Sequence, residues 1–323
     1  MKVSISRNSL QAALQNLAKA TPTRSTIPIL SSVLFTAKEG VLEMRTTDLE
    51  ITLLTRAEAS IESQGGVAIP HRTITEITNA MPETEITIEV GEKNRVVIRT
   101  SFGNYDISGS PPEDFPAMPE VDNKKEISVA SSTLKQLVEK PSFALSADEL
   151  KPALMGALFE VLKNKITVGA TDGHRLSICC RSDFSSKGYE GSVIVPKKFL
   201  QLVLSYLNNQ EEAVLWVGDN HLTISFKQAT IFSRVIDERY PDYKTVLPKD
   251  NNKVLKVERK ELLSSVRRVS IFSNRATRQV ELRLSNREAV ITTEDPESAS
   301  SAQEKIAVEY EGEDLTLGFN ANY

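Results

Sequence analysis

The chain has 323 residues, of which 40 % are hydrophobic and 25 % are charged, a composition typical of a globular protein with two or three domains. No apolar run reaches the roughly 18 residues of a membrane helix, and the alternating start Met1-Lys-Val-Ser-Ile-Ser predicts a strand rather than a signal peptide. The net charge of −4 argues against a nucleic-acid partner unless the charges are unevenly distributed.

The first third of the chain predicts two helices set among strands. Apolar residues at helical spacing predict helices over residues 6–21 and 70–81. Apolar or alternating runs predict strands over residues 32–38, 41–47, 50–59, 85–90, 95–100 and 104–108. The proline-rich stretch 111–119 then has the composition of a linker.

The same order of elements follows twice more. In the second third, helices are predicted over residues 131–140 and 196–208, and strands over 125–129, 166–168, 176–180, 191–195, 213–217, 222–226 and 230–235. In the last third, a strand from residue 253 precedes a helix over 259–274, and strands follow over 280–284, 289–293 and within 305–319. Cys179 and Cys180 are neighbours on one predicted strand and point to opposite faces, so we expect reduced thiols and a cytoplasmic protein.

Landmarks recur along the chain at a nearly constant step. Asp48, Asp172 and Asp295 each end a strand-like run and lie 124 and 123 residues apart, and Pro116 and Pro241 lie 125 apart. The step is too long for a solenoid unit, so it predicts three tandem domains, each with its own core: 1–122, 123–249 and 250–323. By the same step, a complete third domain would continue for about forty residues past Tyr323, so we expect the third domain to be incomplete.

Positive charge is concentrated on the predicted helices. They carry 12 basic and 4 acidic residues, whereas the whole chain has 39 and 43. The basic residues are Arg7, Lys19, Arg72, Lys135, Lys140, Lys197, Lys198, Arg259, Lys260, Arg267, Arg268 and Arg275. A merely solvated helix face is one interpretation. The excess of basic residues recurs on the helices of every predicted domain, and no aromatic residues placed for base stacking accompany it. This pattern favours sequence-independent contact with duplex phosphates.

The segment Asp172-Gly173-His174 allows two interpretations. A carboxylate beside an imidazole is typical of general acid–base catalysis and would suit a hydrolase or transferase, but that chemistry needs a nucleophile or a metal nearby. No phosphate-binding glycine loop, GxSxG or HExxH motif accompanies the segment. Asp48 and Asp295 reuse the aspartate without the histidine, which favours an aspartate that caps a turn.

Five motifs carry a resemblance to a known family. They are Ile27-Pro-Ile-Leu30, Thr47-Asp-Leu-Glu50, Ala170-Thr-Asp-Gly-His-Arg-Leu176, Arg239-Tyr-Pro-Asp-Tyr243 with Val246-Leu-Pro248, and Gly318-Phe-Asn320. With them, the whole chain resembles the bacterial DNA polymerase III beta subunit, the sliding clamp. The resemblance implies an α+β clamp fold of three similar domains, with two helices of each domain lining a central hole and antiparallel sheets outside. It also implies a head-to-tail homodimer around duplex DNA. A protein of this family is expected to have no enzyme activity, no cofactor and no metal.

The resemblance also implies which residues act. Candidate DNA contacts are Arg24, Arg72, Lys140, Lys197, Lys198 and Arg267. A hydrophobic pocket for short peptides of the replicative polymerase, the clamp loader and repair proteins would use Leu154, Thr171, Gly173, His174, Arg175, Leu176, Pro241 and Val246. The dimer interface would use Ile77, Met81, Tyr105, Ile107, Ile271 and Phe272.

Two features depart from the family pattern. Thr245 replaces a family arginine in the pocket wall, and the acidic cluster after Asp295 is reduced to the separated Glu297 and Glu304. The other wall of the pocket is expected beyond Tyr323. Besides the ring, a non-ring interaction scaffold and an Asp/His hydrolase remain as alternatives.

Overall fold

The computed structural model describes residues 1–22, 24–182, 184–207, 212–227 and 229–323. These residues form two compact units, Met1–Pro241 and Asp242–Tyr323. Both units combine α-helices with sheets whose neighbouring strands run antiparallel, which confirms the predicted α+β class.

The first unit alternates single helices with groups of strands. Its helices are α1 (Arg7–Leu17), α2 (His71–Ala80), α3 (Ser131–Ser142) and α4 (Lys197–Leu204). Its strands are β1 (Lys2–Ser6), β2 (Ser32–Lys38), β3 (Val41–Thr47), β4 (Ile51–Glu58), β5 (Ser60–Ser63), β6 (Gly65–Pro70), β7 (Glu85–Val90), β8 (Arg95–Thr100), β9 (Gly103–Ser108), β10 (Lys125–Ala130), β11 (Gly156–Leu162), β12 (Lys165–Thr171), β13 (Leu176–Arg181), β14 (Ser185–Lys187), β15 (Gly191–Pro196), β16 (Glu212–Val217), β17 (His221–Ser225) and β18 (Thr230–Arg234).

The second unit contains one α-helix and six strands among the described residues. Its elements are β19 (Leu255–Lys256), α5 (Arg259–Val269), β20 (Gln279–Ser285), β21 (Glu288–Asp295), β22 (Ser300–Ala307), β23 (Glu309–Tyr310) and β24 (Leu315–Asn320). The strands form a sheet in the order β22-β21-β20-β24 and a two-stranded ribbon of β19 and β23.

Strand order repeats along the chain. The order β4-β3-β2-β6 matches β13-β12-β11-β15 and β22-β21-β20-β24, and the order β1-β7-β8-β9 matches β10-β16-β17-β18. Each match relates strands about 124 residues apart in sequence, so the tandem repeat predicted from the aspartates is a repeat of topology.

One strand pair joins the first two repeats. β4 pairs antiparallel with β18, with Leu54 opposite Thr230 and Thr52 opposite Phe232. This seam produces a nine-stranded sheet, β14-β10-β16-β17-β18-β4-β3-β2-β6. The first two predicted domains, as far as Pro241, therefore lie in one compact unit, and the boundaries at 122/123 and 249/250 stay predictions.

Helices cover these sheets with their apolar stripes. α1 buries Leu10, Leu14 and Leu17 completely, and its start is capped by the Ser6 hydroxyl, which accepts a hydrogen bond from the Ser9 N–H at 3.2 Å. Burying a leucine side chain stabilises a fold by roughly 1.5–3 kcal/mol, so the stripe holds α1 in place. α1 packs against α2, and α3 packs against α4.

Several helices are shorter than their patterns predict. α1 ends at Leu17 rather than residue 21, which leaves Lys19 outside the helix. α5 ends at Val269, and a separate 3-10 turn, Ser270–Phe272, follows it, so Arg275 is not helical. The predicted end of α4 at Asn208 lies outside the described residues. The turn after α1 still buries Ala20, whereas the apolar Ile271 and Phe272 after α5 are exposed, so apolar spacing alone does not fix where a helix ends.

Candidate functional site

A hydrogen-bonded turn joins β12 to β13. Oδ1 of Asp172 accepts from the backbone N–H groups of His174 and Arg175, each at 3.0 Å, and Oδ2 accepts from Nε of Arg175 at 3.0 Å. Thr171 closes the turn by donating its hydroxyl to the Arg175 carbonyl at 2.7 Å. Gly173 has φ +91°, a conformation that glycine adopts without strain.

The other repeats use the same device. Oδ1 of Asp48 accepts from the N–H of Glu50 at 3.1 Å and of Ile51 at 2.7 Å. Asp295 accepts from the N–H of Glu297 at 3.3 Å and from the Ser298 hydroxyl at 2.7 Å. All three aspartates cap turns, as predicted, and this role accounts for their recurrence.

The ionised form of Asp172 is stabilised by its surroundings. Burial opposes ionisation, but hydrogen bonds from the backbone of Arg175 and His174 and from the Arg175 guanidinium outweigh it, so the pKa of Asp172 is lowered. A carboxyl group with a lowered pKa is a poor proton donor or acceptor near neutral pH. Among the described residues, no group of three or more His, Cys, Asp and Glu could hold a metal ion.

The turn gathers five of the eight predicted pocket residues: Thr171, Gly173, His174, Arg175 and Leu176. Tyr240 connects Pro241 to this turn, because the Thr171 N–H donates to the Tyr240 hydroxyl at 3.1 Å. Burial raises the pKa of Tyr240 to about 12, against the opposing effect of that hydrogen bond, so the phenol is neutral near pH 7.

The remaining pocket residues lie elsewhere. Leu154 is buried in the 3-10 turn Pro152–Met155 of the first unit. Val246 belongs to the second unit, in the 3-10 turn Tyr243–Val246, and is 70 % exposed there.

Two residues near the Asp172 turn, Phe143 and Tyr240, were not among the pocket residues predicted from the sequence. The Arg175 guanidinium lies over the Phe143 ring, 5.3 Å from its centroid, and this phenylalanine is exposed. Nothing in the sequence marks Phe143, which follows α3. Tyr240 belongs to the Arg239–Tyr243 motif, but the sequence does not indicate its contact with the turn.

The candidate DNA contacts are mostly exposed. Arg24 lies in a loop, Lys140 in the last turn of α3 and Arg267 in the last turn of α5, and each is exposed. Lys197, in the first turn of α4, is half-buried.

Two candidate contacts already hold an acidic partner. Nε of Arg72 lies 2.7 Å from Oε1 of Glu76 one turn along α2. The Lys198 ammonium pairs with Asp48, the turn aspartate of the first repeat. Phosphates would have to compete with these carboxylates, so Arg72 and Lys198 carry less free charge than their sequence positions suggest.

Lys19 packs against an aromatic ring. Its ammonium lies 4.2 Å from the centroid of the Tyr206 ring, and burial lowers its pKa. Lys19 therefore joins the first repeat to the second by a cation–π contact instead of standing free on a helix.

The predicted interface residues differ in exposure. Ile271 and Phe272 are 73 % and 44 % exposed in the second unit, while Tyr105 and Ile107 are half-buried on β9, an edge strand. Ile77 is half-buried on α2. Met81 is only 5 % exposed and belongs to the core, so in this chain it is not available as an interface residue. The apolar stripe on α2 does not distinguish a core position from a surface position.

Comparison with known protein families identifies the family of this chain. Three models match in tandem: the N-terminal domain of the DNA polymerase III beta subunit over residues 1–119, its central domain over 128–242 and its C-terminal domain over 244–323. The chain belongs to the DNA polymerase III beta subunit family. It is therefore a sliding clamp, a processivity factor of DNA replication, and by family it is non-catalytic.

Individual beta subunits match along the whole chain. The beta sliding clamp of Pseudomonas putida is 31 % identical over 326 residues, which cover 100 % of this chain and 88 % of that protein. A crystal structure of the Pseudomonas aeruginosa beta subunit has a TM-score of 0.93 and 31 % identity, and covers 99 % of this chain and 88 % of that one. A Pseudomonas aeruginosa clamp bound to griselimycin has a TM-score of 0.91 and 31 % identity, with 99 % and 87 % covered. Among the described residues, no helix has the length and apolarity needed to cross a bilayer.

Proposed function

We propose that two copies of this chain close head-to-tail into a ring that encircles duplex DNA. The observation that carries the proposal is the β4–β18 seam, an antiparallel pair between consecutive repeats. In strand order, β9 of the first repeat is equivalent to β18, and β22 of the third repeat is equivalent to β4. Both β9 and β22 lie at sheet edges, so each presents the unpaired side that its equivalent uses in the seam.

The seam also gives a register for the interface. Ile231 lies opposite Leu53 across the seam. Tyr105 occupies the position of Ile231, since both lie on the core-facing side of their hairpins, and Ala302 occupies the position of Leu53. We therefore place Tyr105 of one subunit opposite Ala302 of the other. Ile77, Ile107, Ile271 and Phe272 remain the proposed apolar contacts of this interface.

The basic helices support a DNA-facing surface. Lys140, Lys197 and Arg267 on three helices, with Arg24 in its loop, would contact phosphates, while Arg72 and Lys198 would do so in competition with their carboxylate partners. Phosphate contacts hold no sequence information and exchange readily, which suits a protein that slides.

The Asp172 turn supports a peptide site for replication partners. Thr171, Gly173, His174, Arg175 and Leu176, with Leu154, Pro241 and Val246, would receive short segments of the polymerase, the clamp loader and repair proteins. The apolar side chains would supply the affinity, and Arg175, held over Phe143, would supply a polar contact. Such a protein would act in the cytoplasm with replicating DNA.

The alternatives have weaker support. An Asp/His hydrolase would need Asp172 as a base, yet its oxygens accept three hydrogen bonds that build the turn. A non-ring scaffold would leave the edge strands β9 and β22 unpaired, although their equivalents β18 and β4 pair with each other.

The salt dependence of DNA binding tests the DNA-facing surface. The triple variant Arg24→Ala, Lys140→Ala, Lys197→Ala should reduce the slope of log K against log salt by about three, roughly one for each lost phosphate contact. The matched control is Lys38→Ala, Lys163→Ala, Lys227→Ala, which removes three exposed lysines from loops and a strand end. Fluorescence anisotropy with two duplexes of unrelated sequence gives both slopes. Equal slopes for both variants and the parent would contradict the assignment.

A further inference from the structure

A groove crosses the seam between the first two repeats on one face of the nine-stranded sheet. It has a volume of about 390 Å³, within the usual range for small ligand sites. Its floor comes from four adjacent strands, β16, β17, β18 and β4, and one wall comes from the linker that precedes β10. We call it the seam groove; it is lined by Leu54, Arg56, Met118, Pro119, Val121, Lys124, Trp216, Thr223, Ser225, Thr230 and Phe232.

Strand register explains the floor. Trp216 lies opposite Thr223, and Thr223 lies opposite Phe232, so the three side chains share one face of the sheet. Trp216 and Phe232 remain half-exposed there. Thr223 is 7 % exposed, and its hydroxyl has no hydrogen-bond partner in the part of the chain that the structure describes. A buried hydroxyl without a partner is costly, so an occupant that supplies a partner would gain from it.

The linker wall is held at both ends, so the groove exists without an occupant. On one side, Arg45 donates to the Pro116 carbonyl at 2.8 Å and covers the ring of the buried Phe115. On the other side, the Asn123 amide donates to Asp219 at 2.8 Å. Residues 117–121 are therefore suspended between two anchors beside the aromatic floor.

The charged residues of the lining are both cationic. Lys124 is exposed and makes no ion pair with any described residue. Arg56 donates Nε to Glu43 at 2.7 Å, and its terminal N–H groups make no hydrogen bond to any described residue. An aromatic floor beside two cations fits a large apolar side chain with a carboxylate next to it. Because the linker also carries the exposed Glu120 and Asp122, one carboxylate suits the site better than the continuous charge of a nucleic-acid strand.

We propose that the seam groove is a second protein-docking site, which binds a short acidic peptide segment of a partner through an aromatic or leucine anchor between Trp216 and Phe232 and a carboxylate at Lys124 and Arg56. The site uses none of the residues assigned to the Asp172 peptide pocket. A partner with two such segments could hold the chain at two points, which raises avidity without any new contact.

Trp216 reports directly on the groove because it is the only tryptophan in the chain. Titration with acetyl-Ala-Leu-Phe-Asp-amide, a probe without tryptophan, should shift its emission to shorter wavelength in a saturable way. Acetyl-Ala-Leu-Phe-Lys-amide, the matched probe with reversed charge, should bind more weakly. Lys124→Glu should weaken binding of the acidic probe about 3- to 10-fold, since it replaces an attraction with a repulsion.

Two control variants separate the groove from other effects. Lys227→Glu makes the same charge change at an exposed residue outside the groove and should leave the titration unchanged. Leu176→Ala, in the Asp172 peptide pocket, should also leave the Trp216 shift unchanged, so failure of that pocket would not affect this result. No saturable shift, equal binding by Lys124→Glu and the parent, or loss of the shift in Leu176→Ala would each overturn the proposal. A shift produced by oligothymidylate but not by the acidic probe would overturn it in favour of a nucleic-acid site.

Discussion

At the scale of single residues, Asp172 illustrates how repetition reveals a structural role. A lone Asp-Gly-His segment is compatible with catalysis, but the aspartate recurs without the histidine, and all three aspartates cap turns. The sequence could predict this because the turn needs only one side-chain acceptor. It could not predict that Met81 is buried, since an apolar stripe looks the same whether its end faces the core or a partner.

Replacing Asp172 with alanine should destabilise the first unit by about 1–3 kcal/mol, because two backbone N–H groups and the Arg175 guanidinium lose their acceptor. Urea unfolding measures the change. Asp114→Ala, at an exposed aspartate whose side chain accepts no hydrogen bond in the described structure, is the control and should change stability little.

The same aspartate makes stability depend on pH. Its pKa is lowered in the folded chain, so its contribution is fully present above the ordinary pKa of 3.8 and is lost as pH falls through the lowered value. The difference in melting temperature between the parent and Asp172→Ala should therefore be constant near neutral pH and shrink below about pH 4. A difference that grows on acidification would contradict the hydrogen bonds described for this turn.

Leu176 and His174 should contribute unequally to peptide binding. Leu176 is half-buried beside the Asp172 turn, whereas His174 is exposed. Leu176→Ala should weaken a fluorescent clamp-binding peptide more than His174→Ala does, because buried apolar area supplies most of the affinity of such a site. Anisotropy titration of both variants measures the two losses. Equal affinity of Leu176→Ala and the parent would remove Leu176 from the pocket.

At the scale of elements, the sequence predicts which strands and helices exist better than it predicts how strands from different repeats meet. β2 and β3 have the predicted bounds because turn residues flank short apolar runs. Helix ends were overextended, as at Leu17 and Val269. The pairing of β4 with β18 could not be predicted, because residues about 180 positions apart share no local pattern.

The proposed subunit interface can be tested by its register. In a Cys180→Ser background, Tyr105→Cys with Ala302→Cys should form an intersubunit disulfide under mild oxidation, because directly opposite Cα atoms in antiparallel strands lie about 4.5–5.5 Å apart. Ile107→Cys with Ala302→Cys is the matched control, two residues away on the same face and about 7–8 Å diagonally. Non-reducing electrophoresis should show dimers for the first pair only. Dimers from the control pair alone would move the register.

At the scale of the whole molecule, the uneven distribution of charge mattered more than its sum. A net charge of −4 by itself disfavours DNA, yet exposed lysines and arginines are found on helices of all three repeats. The threefold repeat was readable from the sequence because each repeat conserves its own turn chemistry. Ion pairs such as Lys198 with Asp48 were not readable, because they depend on the contact between two repeats.

Topological retention on DNA distinguishes a closed ring from a chain that only touches the duplex. The protein is threaded onto a linear duplex with one end blocked, the second end is then blocked with streptavidin, and the complex is passed through gel filtration at about 0.5 M salt, where phosphate contacts are weak. A ring should stay with the doubly blocked duplex and should leave it after a restriction enzyme cuts the DNA between the blocks. Equal loss from blocked and unblocked duplexes would mean that the chain binds DNA without encircling it.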